Sequence, residues 1–253
     1  MSNRVVNILV PVISIIIGLF VGAIVMLVSG YDPVEGYIAL WNGIFGDVYS
    51  IGNTIRQITP YILSGLAVAF AFRTGLFNIG VEGQLLMGWL AAAWVGSAVD
   101  LPRIIHLPLA LLAAAAAGAF WAFIVGYLKA RFNVHEVISS IMLNYTALFV
   151  MNAVIKSITD GGYKTETVSE SATLRWQWLR EFTDNSSMHL GIIVALLMVL
   201  VMWFLLERTT RGYELKAVGF NQNAAEYAGM SVKKNIILAM TISGVFAGLA
   251  GAM

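Results

Sequence analysis

The sequence contains no cysteine, which excludes disulfide bridges, thiolate metal sites and thiol nucleophiles while leaving the redox compartment open. Charge is scarce as well. Only 11% of the residues are Asp, Glu, Lys or Arg, against roughly 25% in soluble domains, so this chain cannot clothe a water-facing surface. With 15 basic and 14 acidic residues the net charge is +1, and no overall field points to nucleic acid as a partner. A G-x-x-x-x-G-K-[ST] pattern is missing, so the chain itself cannot cradle ATP phosphates in a P-loop. Metal and acid–base sites need clustered ligands, whereas His106, His135 and His189 stand apart, without an i+4 histidine or grouped carboxylates. They read as satisfied or solvated side chains, and no metal, cofactor or enzymatic activity is expected in this chain.

What is abundant is apolar surface. Hydrophobic residues make up 59% of the 253, and the mean hydropathy is +0.81, which places the chain in a bilayer. A spanning helix needs about 20 mostly apolar residues to cross a core of about 30 Å. Seven stretches come near this, at residues 8–28, 58–72, 84–99, 108–128, 137–155, 190–206 and 235–253. The expected fold is therefore all-α, a polytopic transmembrane helix bundle of about seven spans forming one domain over residues 1–253. Arg4 ahead of the first stretch imitates a secretory signal, but the apolar run exceeds the usual 7–15 residues, so an uncleaved anchor is expected. The second and third stretches are short. One of them is expected to break or re-enter within protein, where irregular backbone is tolerated. The chain stops at Met253 inside an apolar, glycine-spaced helix without a polar flank, and is expected to be a fragment lacking C-terminal sequence.

Basic residues in short loops favour the cytoplasmic side. If Arg4 is cytoplasmic, so are Arg73, Lys129, Arg131, Arg208, Arg211, Lys216, Lys233 and Lys234, leaving Arg56, Arg103, Lys156, Lys164, Arg175 and Arg180 outside. The expected N-terminus is cytoplasmic. In the outer loop 157–189, Trp176 and Trp178 flanked by Arg175 and Arg180 read as a short interfacial helix with aromatic anchors, either a plain cap or a docking surface for an external partner.

Polar groups at membrane depth are costly and mark pathways or packing contacts. The densest set lies in 74–87, where Asn78, Glu82 and Gln84 sit beside a helix start loosened by Gly75, Gly80 and Gly83. They are candidates for the substrate pathway or for a structural hinge, and Glu82 is also favoured by the positive end of the helix dipole. Asn144, beside Tyr145 in the fifth stretch, either lines a polar path or bonds across helices. Gly244, Gly248 and Ala252 recur every four residues, a spacing that lets membrane helices approach closely, and the alanine run 113–117 ending at Gly118 lowers bulk in the fourth stretch. Between the sixth and seventh stretches lies a loop, 207–234, that carries its own short helix. Gly219 ends the approach, Asn221 suits an N-cap, Ala224, Ala225, Glu226, Tyr227 and Ala228 form a small-faced helix, and Gly229 closes it. Such a helix can enter a groove on a cytoplasmic partner, the alternative being an ordinary solvated loop.

GLFNIGVEGQLLMG at 75–88, RGYELKAVGFNQNAAEYAGMSVKKN at 211–235 and SGVFAGLAGA at 243–252 together resemble the permease family of bacterial ATP-binding cassette importers for ribose, simple sugars, nucleosides and branched-chain amino acids. The NIGVEGQ wording looks most like the nucleoside (purine) subgroup. The resemblance implies a multi-pass subunit of the bacterial plasma membrane, paired with a second permease, two cytoplasmic ATPases that bind the ATP and Mg, and an external lipoprotein or periplasmic binding protein. It assigns Gly219, Asn221, Ala224, Ala225, Glu226 and Gly229 to ATPase coupling, and implies further spans beyond Met253. Two other classes fit less well. A secondary carrier calls for ionisable residues buried in its spans and often an inverted repeat, whereas these spans hold almost no ionisable residues and show no repeat, and a membrane enzyme calls for a catalytic cluster.

Overall fold

A computed structural model describes residues 3–158 and 167–253, with side chains from Leu9 onward in the first helix. The Arg4 side chain and Lys164, two of the charges used for orientation, lie outside the described parts. Among the described residues the chain forms eleven α-helices, one short 3-10 turn and no strand, as an all-α bundle requires.

The spans follow the apolar pattern, and their ends follow capping chemistry. Helix α1 (Asn3–Val28) leads to α2 (Pro33–Phe45), whose first turn has Pro33 and whose N-cap Asp32 accepts the Val34 N–H at 2.7 Å. At 13 residues α2 is too short to span, so hydropathy alone passed over it. Asp47 caps α3 (Val48–Arg73) by accepting the Ser50 N–H. The remaining long helices are α4 (Val81–Ala98), α5 (Arg103–Phe132), α6 (Glu136–Ile158), α8 (Gly191–Arg208) and α11 (Val232–Gly251), with the short α7 (Gln177–Phe182), α9 (Thr210–Phe220) and α10 (Gln222–Tyr227) between them.

Two expectations need correction. Neither the second nor the third stretch is broken: α3 runs for 26 residues and α4 for 18 without interruption. The second stretch looked short because Asn53, Thr54, Arg56 and Gln57 depress its hydropathy, yet all four lie on the helix, which continues through Pro60. Of the seven expected spans, six are helices long and apolar enough to cross a membrane. The exception is α4, where Glu82, Gln84 and three glycines dilute the apolar content.

Helix α11 is the hub. Two thirds of its apolar window is buried, against α5, α4 and α3. The close approach expected of its glycine spacing is realised on a matching row of α5. A Cβ added to Gly118 would stand 2.5 Å from the Gly248 Cα, and one on Gly244 would collide with the Ala122 methyl and the Gly118 carbonyl. Backbones this near gain dispersion contacts that lipid cannot replace. Larger side chains fill the bundle toward its basic end, where Phe70 and Phe246 lie 5.9 Å apart beside Met240 and Leu215. Helix α1 stands at the edge, tied to α2 by the Tyr37 hydroxyl donating to the Leu19 carbonyl, with none of its apolar window buried, as suits contact with lipid.

Candidate functional site

Asn78 is the centre of a buried polar knot. Its amide nitrogen donates to the Gln84 side-chain oxygen at 3.0 Å and to the Ser243 hydroxyl at 2.8 Å. Its oxygen accepts from the Gly80 N–H at 2.9 Å and from the Gln84 amide at 3.0 Å. Ser243 in turn donates to the Ala67 carbonyl at 2.7 Å. Three long helices are joined by one set of bonds: α3 through Ala67, α4 through Gln84 and α11 through Ser243. Asn78 is 2% exposed and Gln84 1%. An unpaired polar group at such depth costs about 1–3 kcal/mol, and mutual pairing removes that cost.

The four expected pathway residues thus divide into two pairs. Asn78 and Gln84 face inward and bond to each other. Glu82 is exposed, and with Asn144, Tyr145, Ile141 and Leu148 it borders a recess of about 240 Å³ between α4 and α6. Asn144 is held rigidly there, its oxygen accepting the Gly83 N–H at 2.9 Å and its nitrogen donating to the Ile79 carbonyl at 3.1 Å. Beside the knot, Ser140 is fully buried and its hydroxyl is without a hydrogen-bond partner.

The loop after α8 folds into two short helices. The Thr209 hydroxyl caps α9 by accepting the Gly212 N–H at 3.0 Å, and α9 buries Leu215 and Val218 against the bundle. Glu207 pairs with Lys216 at 3.0 Å and with Arg73 at 3.5 Å. Then comes α10, with the caps its sequence called for. Asn221 accepts the Ala224 N–H at 3.0 Å. Gly229 takes φ +82, a left-handed turn in which the Gly229 and Met230 N–H groups return to the Glu226 and Ala225 carbonyls. Ala225 faces inward at 4% exposure, while Ala224 and Glu226 are exposed. Two aromatics flank the helix and point into solvent, Phe220 at 89% and Tyr227 at 94% exposure. Gly219, expected to end the approach and to take part in coupling, lies instead within α9, which runs on to Phe220 and is closed by Asn221; its place is set by close backbone packing. A Cβ on it would stand 2.6 Å from the Thr74 carbonyl carbon, and one on Gly75 would stand 2.5 Å from the Gly219 Cα.

At the opposite end a cap is tied to the spans. His106 is buried between the Ser171 hydroxyl at 2.8 Å and the Val95 carbonyl at 3.0 Å, a satisfied histidine as expected. The Arg103 guanidinium donates to the Thr173 carbonyl at 2.7 Å and lies 4.6 Å from the Trp176 ring. Trp176 and Trp178 flank the start of α7, exposed as interfacial anchors would be. Burial, together with the positive Arg56 and Arg175, holds the His189 imidazole below its usual pKa. No group of histidine and carboxylate side chains able to hold a metal occurs among the described residues.

Ser243 and the Gly75–Gly219 contact were not found from sequence. A lone serine in SGVFAGLAGA carries no signal beyond small size, and the contact joins residues 144 positions apart, as the difference of their numbers gives.

Residues 50–253 match the family model described as branched-chain amino acid transport system / permease component. The chain is 65% identical over its whole length to a guanosine ABC transporter permease of Bacillus subtilis, covering 73% of that protein. It is 40% identical to a nucleoside ABC transporter permease of Lactococcus lactis subsp. cremoris, over 99% of this chain and 71% of that protein. A glucose ABC transporter permease of Haloferax volcanii is 34% identical over 95% of this chain and 66% of its own length. No solved structure matches the chain.

Proposed function

Because the chain belongs to the family of permease components of branched-chain amino acid transport systems, we propose that it is the transmembrane permease subunit of an ATP-binding cassette importer for nucleosides. The observation that carries the reading is likeness over nearly all of this chain to permeases named for guanosine and nucleosides. In this reading the chain lies in a bacterial plasma membrane with its N-terminus and basic end in the cytoplasm. Partner ATPases hydrolyse ATP, a second permease completes the path, and an external binding protein delivers the substrate to the end capped by α7.

Helix α10 is suited to engage an ATPase, because it is short, capped at both ends and flanked by the exposed rings of Phe220 and Tyr227. Aromatic side chains are frequent anchors at protein interfaces. Gly219, Asn221, Ala224, Ala225, Glu226 and Gly229 shape and place it. For the substrate pathway, Glu82 and Tyr145 offer polar groups at the recess between α4 and α6, Asn144 fixes its wall, and Asn78 and Gln84 hold the turn from which Glu82 projects. An uncharged ligand bearing hydroxyl and base-edge groups suits such a path, which supplies little compensating charge.

The test is uptake of labelled guanosine and adenosine in cells carrying the full-length system, against a strain lacking this subunit. Nucleoside uptake should disappear with the subunit. Intact nucleoside uptake combined with loss of ribose, glucose or branched-chain amino acid uptake would overturn the substrate assignment.

A further inference from the structure

We propose that the Gly75–Gly219 backbone contact and the Asn78–Gln84–Ser243 knot form one rigid joint, through which displacement of α10 passes directly to α3, α4 and α11. The inference rests on the importer reading above and adds positioning residues to it. None of these groups need touch the substrate.

The joint has no slack at any step. A single residue, Phe220, separates Gly219 from the N-cap Asn221, so α10 cannot shift without moving Gly219. Gly219 lies backbone to backbone against Thr74 and Gly75, with no side chain between them to bend. Gly75 has φ +74, so the turn requires glycine for conformation as well as for space. The turn is locked onto α3: the Thr74 hydroxyl donates to the Ala71 carbonyl at 2.9 Å, and the Leu76 N–H donates to the same carbonyl at 2.9 Å. Two residues later comes Asn78, whose four hydrogen bonds reach Gly80, Gln84 and Ser243. Around this polar line, Leu215 of α9 shares one buried cluster with Phe70, Ala71, Leu76, Met240 and Phe246. Close-packed interiors shift between discrete arrangements instead of deforming smoothly, so a push on α10 moves the three helices together.

A second route exists along the chain itself, from α10 through Met230 and Ser231 into α11. The two routes are separable. Gly219→Ala wedges a methyl group against Thr74 and opens the joint while leaving the chain connection intact. Ser243→Ala removes one hydroxyl and with it the bonds to Asn78 and Ala67, without a steric clash. Gly65→Ala is the control, because nothing lies within 4 Å of a Cβ added there.

The measurement is guanosine transported per ATP hydrolysed by the complete importer, full-length subunits with binding protein, in proteoliposomes, normalised to assembled complex. Gly219→Ala and Ser243→Ala should each lower that ratio by roughly tenfold, with ATP hydrolysis retained and Gly65→Ala unchanged. A purely structural role for these residues would reduce the quantity of assembled complex and leave the ratio as it was. A ratio within about twofold of the parent in Ser243→Ala, or in an assembled Gly219→Ala, overturns the joint while the importer reading stands. If Gly219→Ala does not assemble, Ser243→Ala decides. Absence of ATP-driven guanosine uptake in the unsubstituted complex would overturn the nucleoside importer reading and the joint with it.

Discussion

The side-chain amides of Asn78, in the turn after α3, and Gln84, in the first turn of α4, lie face to face, each donating to the other's oxygen at 3.0 Å. A reciprocal pair of this kind uses up the hydrogen-bonding capacity that a substrate would otherwise meet. Asn78→Ala strands the Gln84 amide, the Gly80 N–H and the Ser243 lone pair together. Each buried loss costs about 1–3 kcal/mol in general and nearer 0.6 kcal/mol between membrane helices, so a total near 2 kcal/mol is expected. Thermal unfolding in detergent should show a larger drop for Asn78→Ala than for Gln84→Ala, which breaks only two of the four bonds. Equal melting of Asn78→Ala and the parent would show that the knot contributes nothing to folding.

Gly118 tests the packing of the hub. A leucine there meets the backbone of Gly244 and Gly248, which has no flexible end to yield, and overpacking costs about 1–3 kcal/mol or more. Gly118→Leu should sharply reduce the folded fraction by size-exclusion profile, while Gly43→Ala, with open space around it, should match the parent. A well-folded Gly118→Leu protein would contradict the observed contact between α5 and α11.

Orientation is accessible by labelling, since the natural absence of cysteine supplies a clean background. Single cysteines at Ser171, in the cap beside His106, and at Gln222, the first residue of α10, should react with an impermeant reagent from opposite sides of the membrane. Reaction of both from outside intact cells would reverse the orientation proposed for the basic end.

Phe220 and Tyr227 address the ATPase contact. Both rings are almost wholly in solvent, so replacing them with alanine should leave the melting temperature of the isolated subunit unchanged. Loss of a central aromatic anchor typically weakens a complex by about 2 kcal/mol or more, and Tyr227→Ala should therefore reduce co-purification with the ATPase roughly thirtyfold in apparent affinity. Unimpaired co-purification of the double variant would move the docking surface away from α10.

Much of this protein was decided by residue order alone. The membrane environment follows from scarce charge and long apolar runs, because hydrocarbon tolerates only segments that satisfy their own backbone. The caps of α10 were equally legible, since Asn221 and Gly229 act on groups within four residues of themselves. The glycine spacing of α11 announced a close approach without naming α5 as the partner. Tertiary structure decided what local pattern cannot encode. It turned Asn78 and Gln84 toward each other and left Glu82, between them in sequence, facing outward, since a helix start sends neighbouring side chains in different directions. It supplied Ser243 from 165 residues away, and it seated Gly219 on Gly75. Hydrogen bonds and van der Waals contacts act only over a few ångströms, so residues far apart in sequence interact only once the packing of whole helices has brought them together.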